Sequence, residues 1–334
     1  MKKIRLGKTD IMVNKNGFGA LPIQRISYEE SDLLLKKAFQ QGIDFYDTAR
    51  MYSDSEEKIA RALRDKRHQI IIASKTMAKN TTDFWEDLHT SLKNLKTDYI
   101  DIYQFHTPGF CPIPEDGSDL YEAMVEAKRQ GKIRFIGITN HRLAVAQEAL
   151  KSGLYDTLQF PFSYLADQRE IDLVHQCKEK DVGFIAMKAL AGGLIHHSDA
   201  AYAYIDQFDH VLPIWGIQKE RELEEFLQYQ KASPVLNDRI ESIIESDREE
   251  LMGDFCRACG YCLPCPVDIE IPQCARMSLL LRRAPKSMTS TDEWKRKMLM
   301  IEQCTQCNQC KEKCPYELNT PELLRKNLEV YQTY

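Results

Sequence analysis

The sequence has no run of about 18 uncharged apolar residues, so a chain that crosses a bilayer is not expected. It also lacks the apolar core of a secretory leader. Met1-Lys2-Lys3-Ile4-Arg5 is charged, but no apolar stretch of the required length follows, which predicts a cytoplasmic location. Nor is there a basic excess: 45 Lys and Arg against 50 Asp and Glu give a net charge of -5, without the positive field that draws a chain onto nucleic acid. Small molecules and other proteins are left as the expected partners. Cysteine is nearly missing before residue 256, where only Cys111 and Cys177 occur, while the other nine of the 11 crowd between Cys256 and Cys314. A length of 334 residues exceeds what one hydrophobic core usually serves, and with this asymmetry it predicts two domains, 1–235 and 236–334. Disulfides are not expected in reducing cytosol.

From residue 13 to about 230, short runs rich in Ile, Val, Phe and Tyr alternate with amphipathic helical stretches. Eight runs stand out: Asn16–Gly19, Ile43–Asp47, Gln69–Ser74, Tyr99–His106, Lys132–Thr139, Asp156–Phe160, Gly183–Met187 and Val211–Ile217. Helices are expected after them, for example Tyr28–Gln41, with apolar Leu33, Leu34 and Ala38, and Asp119–Gln130. Each is stopped by a glycine, Gly42 and Gly131. An open doubly wound sheet would be expected to carry a phosphate-binding G-x-G-x-x-G after its first strand, and none is present. Eight β-α units without that motif predict an α/β fold, the (β/α)8 TIM barrel. Lys2–Asn14, with its Gly7-Lys8 turn, reads as an N-terminal β-hairpin that plugs the barrel floor. After the eighth unit, Leu236–Leu251 is expected to be a connecting helix.

The cysteine segment reads Cys256-x-x-Cys259-x-x-Cys262-x-x-Cys265-Pro266, then Cys304-x-x-Cys307-x-x-Cys310-x-x-x-Cys314-Pro315. The second run matches the bacterial ferredoxin pattern, in which the fourth cysteine serves the other of two clusters. Crossed ligation is therefore expected: Cys256, Cys259, Cys262 and Cys314 on one [4Fe-4S] cluster, and Cys304, Cys307, Cys310 and Cys265 on the other. The first run has two residues rather than three before its last cysteine, which sets Cys265 apart. The competing reading is a pair of four-cysteine zinc sites, which normally use two knuckles separated by a longer loop. The segment is thus expected to be a small, mostly α, ferredoxin-like iron-sulfur domain. Cys274, Cys111 and Cys177 read as ordinary buried thiols.

Chemistry in a TIM barrel sits at the C-terminal ends of the strands. Asp47 ends the second run, Tyr52 follows in its loop, Lys75 ends the third and His106 the fourth. A lysine ammonium beside a tyrosine favours the phenolate and so assists proton donation. Asp47 would hold that lysine protonated, and His106 could donate to a carbonyl oxygen. Asp44-Phe45-Tyr46-Asp47-Thr48-Ala49-x-x-Tyr52, Ser74-Lys75 and Tyr103-Gln104-Phe105-His106 resemble the aldo/keto reductases over about residues 3–230. The whole chain resembles the subgroup that carries a C-terminal ferredoxin-like domain. The resemblance implies catalysis by Tyr52, Asp47, Lys75 and His106, with Tyr52 as general acid. It also implies an NAD(P)H lying across the barrel mouth against Asp47, Thr139, Asn140, Gln159, Met187, Lys188, Leu190, Gly216, Gln218 and Glu222. His68, His89, His141, His175, His196, His197 and His210 read as surface or loop histidines.

Two departures from the family pattern stand out. Met187 occupies the place of the aromatic that stacks on nicotinamide. Glu222 and Gly216 occupy places of the basic residues that grip the 2′-phosphate of NADP; a carboxylate repels phosphate and accepts ribose hydroxyls, which favours NADH, with Lys219 and Arg221 near enough to compensate. The electron count poses a further question. Nicotinamide gives two electrons as hydride, whereas clusters take one at a time, and a flavin usually mediates. Either a flavin binds without a readable signature, or the clusters serve a ferredoxin or flavoprotein partner, or they are structural. The leading expectation is an oxidoreductase interconverting a small carbonyl and an alcohol. The alternative is an iron-sulfur electron-transfer protein whose barrel is a docking scaffold.

Overall fold

A computed structural model describes residues 2–251, 255–283 and 289–334 of the chain. They form two compact units, Met1–Ala189 with Asp199–Asn237, and Leu190–Ser198 with Asp238–Tyr334. The division is therefore not a single cut in sequence, because the short segment after Ala189 groups with the C-terminal residues.

The first unit opens with a hairpin in which β1 (Lys3–Arg5) pairs antiparallel with β2 (Met12–Asn14). Eight parallel strands then close a barrel: β3 (Gly17–Gly19), β4 (Phe45–Asp47), β5 (Ile71–Thr76), β6 (Ile100–His106), β7 (Ile133–Thr139), β8 (Thr157–Pro161), β9 (Gly183–Met187) and β10 (Val211–Gly216). Each overlaps its expected run, and β10 pairs back onto β3. All seven residues of β6 are buried, the pattern of a strand covered by side chains within and helices without. Those helices are α1 (Tyr28–Gln40), α2 (Ser55–Leu63), α3 (Thr81–Leu95), α4 (Leu120–Arg129), α5 (Leu143–Ser152), α6 (Gln168–Glu179), α7 (Ser198–Asp206) and α8 (Glu220–Lys231).

Local sequence explains the helix boundaries. Ser27 caps α1 in a reciprocal box, its side chain accepting from the Glu30 amide at 3.2 Å while Glu30 Oε2 accepts from the Ser27 amide at 2.8 Å. The face of α1 differs from expectation: the buried stripe is Ser31, Leu34, Leu35 and Ala38, a strict i, i+3, i+4, i+7 set, and Leu33 is 72% exposed. The apolar run Leu33-Leu34-Leu35 hid which leucine faces out.

Along the barrel strands side chains alternate, and the inward set changes character with height. Phe45, Ala73, Ile102, Ile185, Leu212 and Ile214 pack with Ile4, Leu6, Ile11 and Val13 of the hairpin segment, which closes the floor. Two residues further along each of β4, β5 and β6, on the same face, stand Asp47, Lys75 and Gln104. The period of two therefore delivers polar side chains to the C-terminal end of a core that is apolar below.

The second unit comprises, among the described residues, α9 (Asp238–Leu251), α10 (Ile271–Cys274), α11 (Met277–Arg283), α12 (Asp292–Leu299), α13 (Gln309–Glu312) and α14 (Thr320–Thr333), joined by loops. Its core joins Ile269, Ile271, Met277, Leu281, Met298, Ile301, Leu324 and Leu328 to Cys262, Cys274 and Cys310. Buried Asn327 ties α14 to the start of α11: its Oδ1 accepts from the Ser278 amide at 2.7 Å and its Nδ2 donates to the Ala275 carbonyl at 3.2 Å. No helix among the described residues is long and apolar enough to cross a membrane.

Gly7 is required twice over. Its φ of +54° is left-handed, and a Cβ there would lie 2.2 Å from the Gly183 amide nitrogen. Gly117 has φ +82° but open space around a Cβ. Gly117→Ala is expected to cost about 1 kcal/mol, the backbone penalty alone, and Gly7→Ala clearly more than about 2 kcal/mol because backbone must also shift. Urea unfolding of the two variants side by side checks this ranking, and equal losses would contradict it.

Candidate functional site

Strand register brings three of the four family-implied catalytic positions to one end of the barrel, and the fourth, Tyr52, follows in the loop after β4. Asp47 is the last residue of β4, Lys75 pairs with Gln104 across β5 and β6, and His106 pairs with Thr139 across β6 and β7. Asp47 is 3% exposed, Lys75 1% and His106 7%, so water cannot meet the charges of the first two, which need partners within the protein. Lys75 Nζ donates to both Asp47 oxygens at 2.7 and 2.8 Å and to the Thr48 carbonyl at 2.6 Å. Burial pushes the Asp47 carboxyl up and the Lys75 ammonium down, and in each case the partner's charge and hydrogen bond oppose the shift. A bidentate contact with a third acceptor favours the ionised pair.

Tyr52 is half-buried in the loop after β4. Consecutive turns shape that loop, the Tyr52 amide donating to the Ala49 carbonyl at 3.0 Å and the Ser55 amide to the Tyr52 carbonyl at 2.8 Å. The Lys75 ammonium stands 5.4 Å from the centre of the Tyr52 ring. The His106 ring meets the same ring edge-on, with centroids 5.8 Å apart. Burial first, then the Lys75 charge, pulls the His106 imidazole down to about 3, so it is neutral near pH 7. Its Nδ1 is buried without a hydrogen-bond partner.

Several residues that hold this arrangement were not singled out from sequence. Glu56, fully buried on α2, accepts from Ser74 Oγ at 2.7 Å and from Arg50 Nη1 at 2.6 Å. It thus ties the Tyr52 loop to the strand residue beside Lys75. The signal was available: Glu56, Ile59, Ala60 and Leu63 follow helical spacing, which places a carboxylate in an apolar stripe. Gln104 Nε2 donates to Gln159 Oε1 at 2.8 Å, and the Gln159 side chain in turn bonds Asp47.

The family-implied nucleotide positions divide by surroundings. Thr139, Gln159, Met187 and Gly216 lie at or near the C-terminal ends of β7, β8, β9 and β10. Thr139 Oγ1 lies 3.8 Å from Met187 Sδ. The Asn140 side chain is committed to backbone of two loops, donating to the Pro108 carbonyl after β6 at 2.9 Å and accepting from the His141 and Arg142 amides of its own loop. Lys188 has a left-handed φ of +55°, and Leu190 falls in the second compact unit. Glu222 Oε2 accepts from the Gln218 amide at 2.8 Å and the Lys219 amide at 2.9 Å, capping α8. The charges at Lys219–Glu222 are thus a built cap. His141 is 4% exposed, so it is a buried residue of the β7 end and not a surface one.

In the second unit the cysteines gather about two cavities of near-equal size. One, about 350 Å³ with its opening to solvent, is lined by Cys256, Cys259, Cys262 and Cys314. The other, about 370 Å³ on the same measure, is lined by Cys265, Cys304, Cys307 and Cys310 as well as Cys262. Each run therefore sends its last cysteine to the other run's cavity. Among the described residues no three His, Cys, Asp or Glu side chains converge as a site for one metal ion. Thiols spread around a cavity suit a multi-iron cluster, whereas tetrahedral zinc needs sulfurs about 2.3 Å from one point. Cys274 lines neither cavity: it is fully buried and its Sγ lies 3.5 Å from the Lys297 carbonyl.

A charged layer at the mouth of a parallel barrel and thiol-lined cavities later in the same chain define a two-part oxidoreductase. Residues 15–235 match the Aldo/keto reductase family and residues 255–319 the 4Fe-4S dicluster domain. The chain belongs to the aldo/keto reductase family and carries a C-terminal 4Fe-4S dicluster domain, which removes the zinc reading. It is 31% identical over 211 residues to the uncharacterized oxidoreductase YqkF of Bacillus subtilis (strain 168), a match covering 58% of this chain and 67% of that one. It is 30% identical over 229 residues to the NADH-specific methylglyoxal reductase of Escherichia coli (strain K12), covering 58% and 69% respectively. The matched stretches thus span about two thirds of these relatives. An aldo-keto reductase from Klebsiella pneumoniae in complex with NADPH superposes with a TM-score of 0.63 over 73% of this chain and 94% of that one, at 24% identity, a likeness of fold.

Two outcomes follow from the burial of this layer. Asp47→Ala strands an ammonium in the barrel and is expected to cost about 3–5 kcal/mol, whereas the double variant Asp47→Leu/Lys75→Met should lose clearly less. Denaturant titration separates them, and equal losses would contradict the ion pair. The second outcome concerns His106, at about 3 when folded and near 6.5 when unfolded. Between those values the unfolded chain binds a proton that the folded chain does not, so stability falls as pH falls through that window. His106→Asn should flatten that part of the pH–stability curve; an unchanged slope would show that the imidazole is not buried neutral.

Proposed function

We propose that the chain is an NAD(P)H-dependent oxidoreductase interconverting a small carbonyl compound and its alcohol, with Tyr52 as the general acid and base. The observation that carries this reading is the Lys75 ammonium, fixed by Asp47 and Thr48, under the ring of the half-buried Tyr52. A positive charge there stabilises the phenolate that remains once the proton has moved to a substrate oxygen. His106 is neutral and carries one proton. Its Nδ1 has no acceptor, so the proton is best placed on Nε2, free to donate to the same oxygen and align it. When bound, reduced nicotinamide supplies hydride and [4Fe-4S] clusters supply or accept single electrons.

Gln159, Thr139, Met187 and Gly216 are the barrel positions proposed to border the nicotinamide, with Asn140, Lys188 and Leu190 in the loops beyond. Glu222 and Gln218 border the far end, where the capping carboxylate opposes a 2′-phosphate and favours NADH. The two cysteine cavities fit the clusters, and the crossed sets are assigned to them: Cys256, Cys259, Cys262 and Cys314 for one, Cys304, Cys307, Cys310 and Cys265 for the other. We assign these clusters to electron exchange with a ferredoxin or flavoprotein in the cytoplasm. Barrel and dicluster segment are read as domains 1–235 and 236–334.

Anaerobically purified protein is expected to hold about eight iron and eight sulfide per chain. Tyr52→Phe should keep that iron and its affinity for NADH while losing carbonyl reduction by a factor on the order of 10²–10⁴. Undiminished turnover would remove Tyr52 from the chemistry. Failure of wild-type protein to bind NADH or NADPH in calorimetry would instead favour the electron-transfer scaffold. The spectrum of acid-released cofactor shows whether a flavin stands between hydride and clusters.

A further inference from the structure

The two cysteine cavities are near-equal in size but not in charge. Apart from the thiols, Arg257 alone among the described residues lining the first carries a charge at neutral pH. The lining of the second carries none: beside its thiols it offers prolines, aliphatic side chains and the neutral Thr305, Asn308 and Gln309.

The position of Arg257 is set by the chain that carries the cysteines. It follows Cys256 directly, and Tyr316, which lines the same cavity, comes two residues after Cys314. The Arg257 guanidinium lies 4.3 Å from the centre of the Tyr316 ring and 5.3 Å from that of Phe255. An aromatic face holds a guanidinium in place and strips part of its water, so its field is screened less than that of a mobile surface arginine.

Charge of the opposite sign stands across one wall of the second cavity. Pro264, Cys265 and Ile269 line both that cavity and an open groove, and the groove also presents Asp268 and Glu270. Glu270 is offset by Lys297, whose Nζ stands 3.3 Å from Glu270 Oε1. Asp268 is exposed at a left-handed φ of +57° and enters no ion pair or side-chain hydrogen bond among the described residues.

We propose that these fixed charges make the two clusters unequal: Arg257 raises the midpoint potential of the cluster at Cys256, Asp268 lowers that of the cluster at Cys265, and an electron shared by the pair settles on the first. One-electron reduction adds one negative charge to a cluster, so a nearby cation favours the reduced form and a nearby carboxylate opposes it. Asp268 is the weaker of the two, being screened by solvent. Water at Cys307, the exposed one of the eight proposed ligands, favours the reduced second cluster and works against Asp268. Substitutions at the two charged positions leave that thiol in place and read the charges alone.

The proposal rests on the cavities holding clusters, and iron and sulfide analysis of anaerobically purified protein separates the two claims. Protein without iron loses the cluster reading and this proposal together, whereas iron-replete variants test the charges by themselves. In a dithionite titration followed by electron paramagnetic resonance, Arg257→Gln is expected to lower the more positive midpoint and leave the other in place. The reduced-to-oxidised ratio at a fixed potential should fall about tenfold, a shift of about 59 mV for one electron. Arg257→Lys should stay closer to wild type, and Asp268→Asn should raise the more negative midpoint alone, by a smaller factor. A substitution to Gln or Asn that moves neither midpoint, or two that move the same one, would overturn the proposal. Should Arg257→Gln not retain its iron, Asp268→Asn decides: a more negative midpoint that does not rise would contradict it.

Discussion

The structure of the barrel mouth depends on one ion pair, Lys75 with Asp47, almost sealed from solvent. A buried charge survives only where every polar atom is met, and this requirement reaches outward in steps. The third acceptor for the ammonium is the Thr48 carbonyl, so the backbone entering the Tyr52 loop is fixed by the same cation. A further partner of the carboxylate is the Gln159 side chain, itself held by Gln104, so side-chain contacts join β4, β5, β6 and β8. Glu56 completes the support from outside the barrel by binding Arg50 and Ser74 on either side of the pair. Tyr52 is thus positioned by a lattice of polar contacts rather than by packing alone.

The iron-sulfur unit is organised on a different principle. Its apolar core includes Cys262 and Cys310, so two of the proposed cluster ligands are also core side chains. Crossing the last cysteine of each run to the opposite cavity makes the two sites mutually dependent, because each needs both runs in place. The grouping of Leu190–Ser198 with this unit means that a connection between β9 and α7, barrel elements in sequence order, takes its contacts from the cluster segment.

Much of this was legible in the sequence because period and spacing are local. The eight strands, the hairpin, and the polar residues at strand ends follow from alternation of two and from turns; cysteine spacing led to the expectation that Cys265 and Cys314 cross between runs, and each lines the cavity of the opposite run, while Cys262 lines both. What escaped was long-range. Leu33 and Leu35 are indistinguishable in an apolar run until a neighbour decides which is buried. His141 reads as a surface or loop residue; it lies in the loop after β7 but is buried. Glu56 and Gln104 look like ordinary polar residues of a helix and a strand; their importance lies in partners 18 and 55 residues away. Glu222 illustrates the converse, a carboxylate singled out from the family resemblance whose place is explained locally by the cap it provides for α8.

The account stands or falls on whether the buried ammonium acts on the reaction or merely fills the barrel. The direct measurement is the single-turnover rate of hydride transfer from NADH, anaerobically and at saturating nucleotide, in wild type and in Lys75→Met. A slowing by a factor on the order of 10² or more, with nucleotide affinity little changed, is what a cation stabilising the Tyr52 phenolate predicts. Hydride transfer at the wild-type rate in a folded Lys75→Met protein would contradict it.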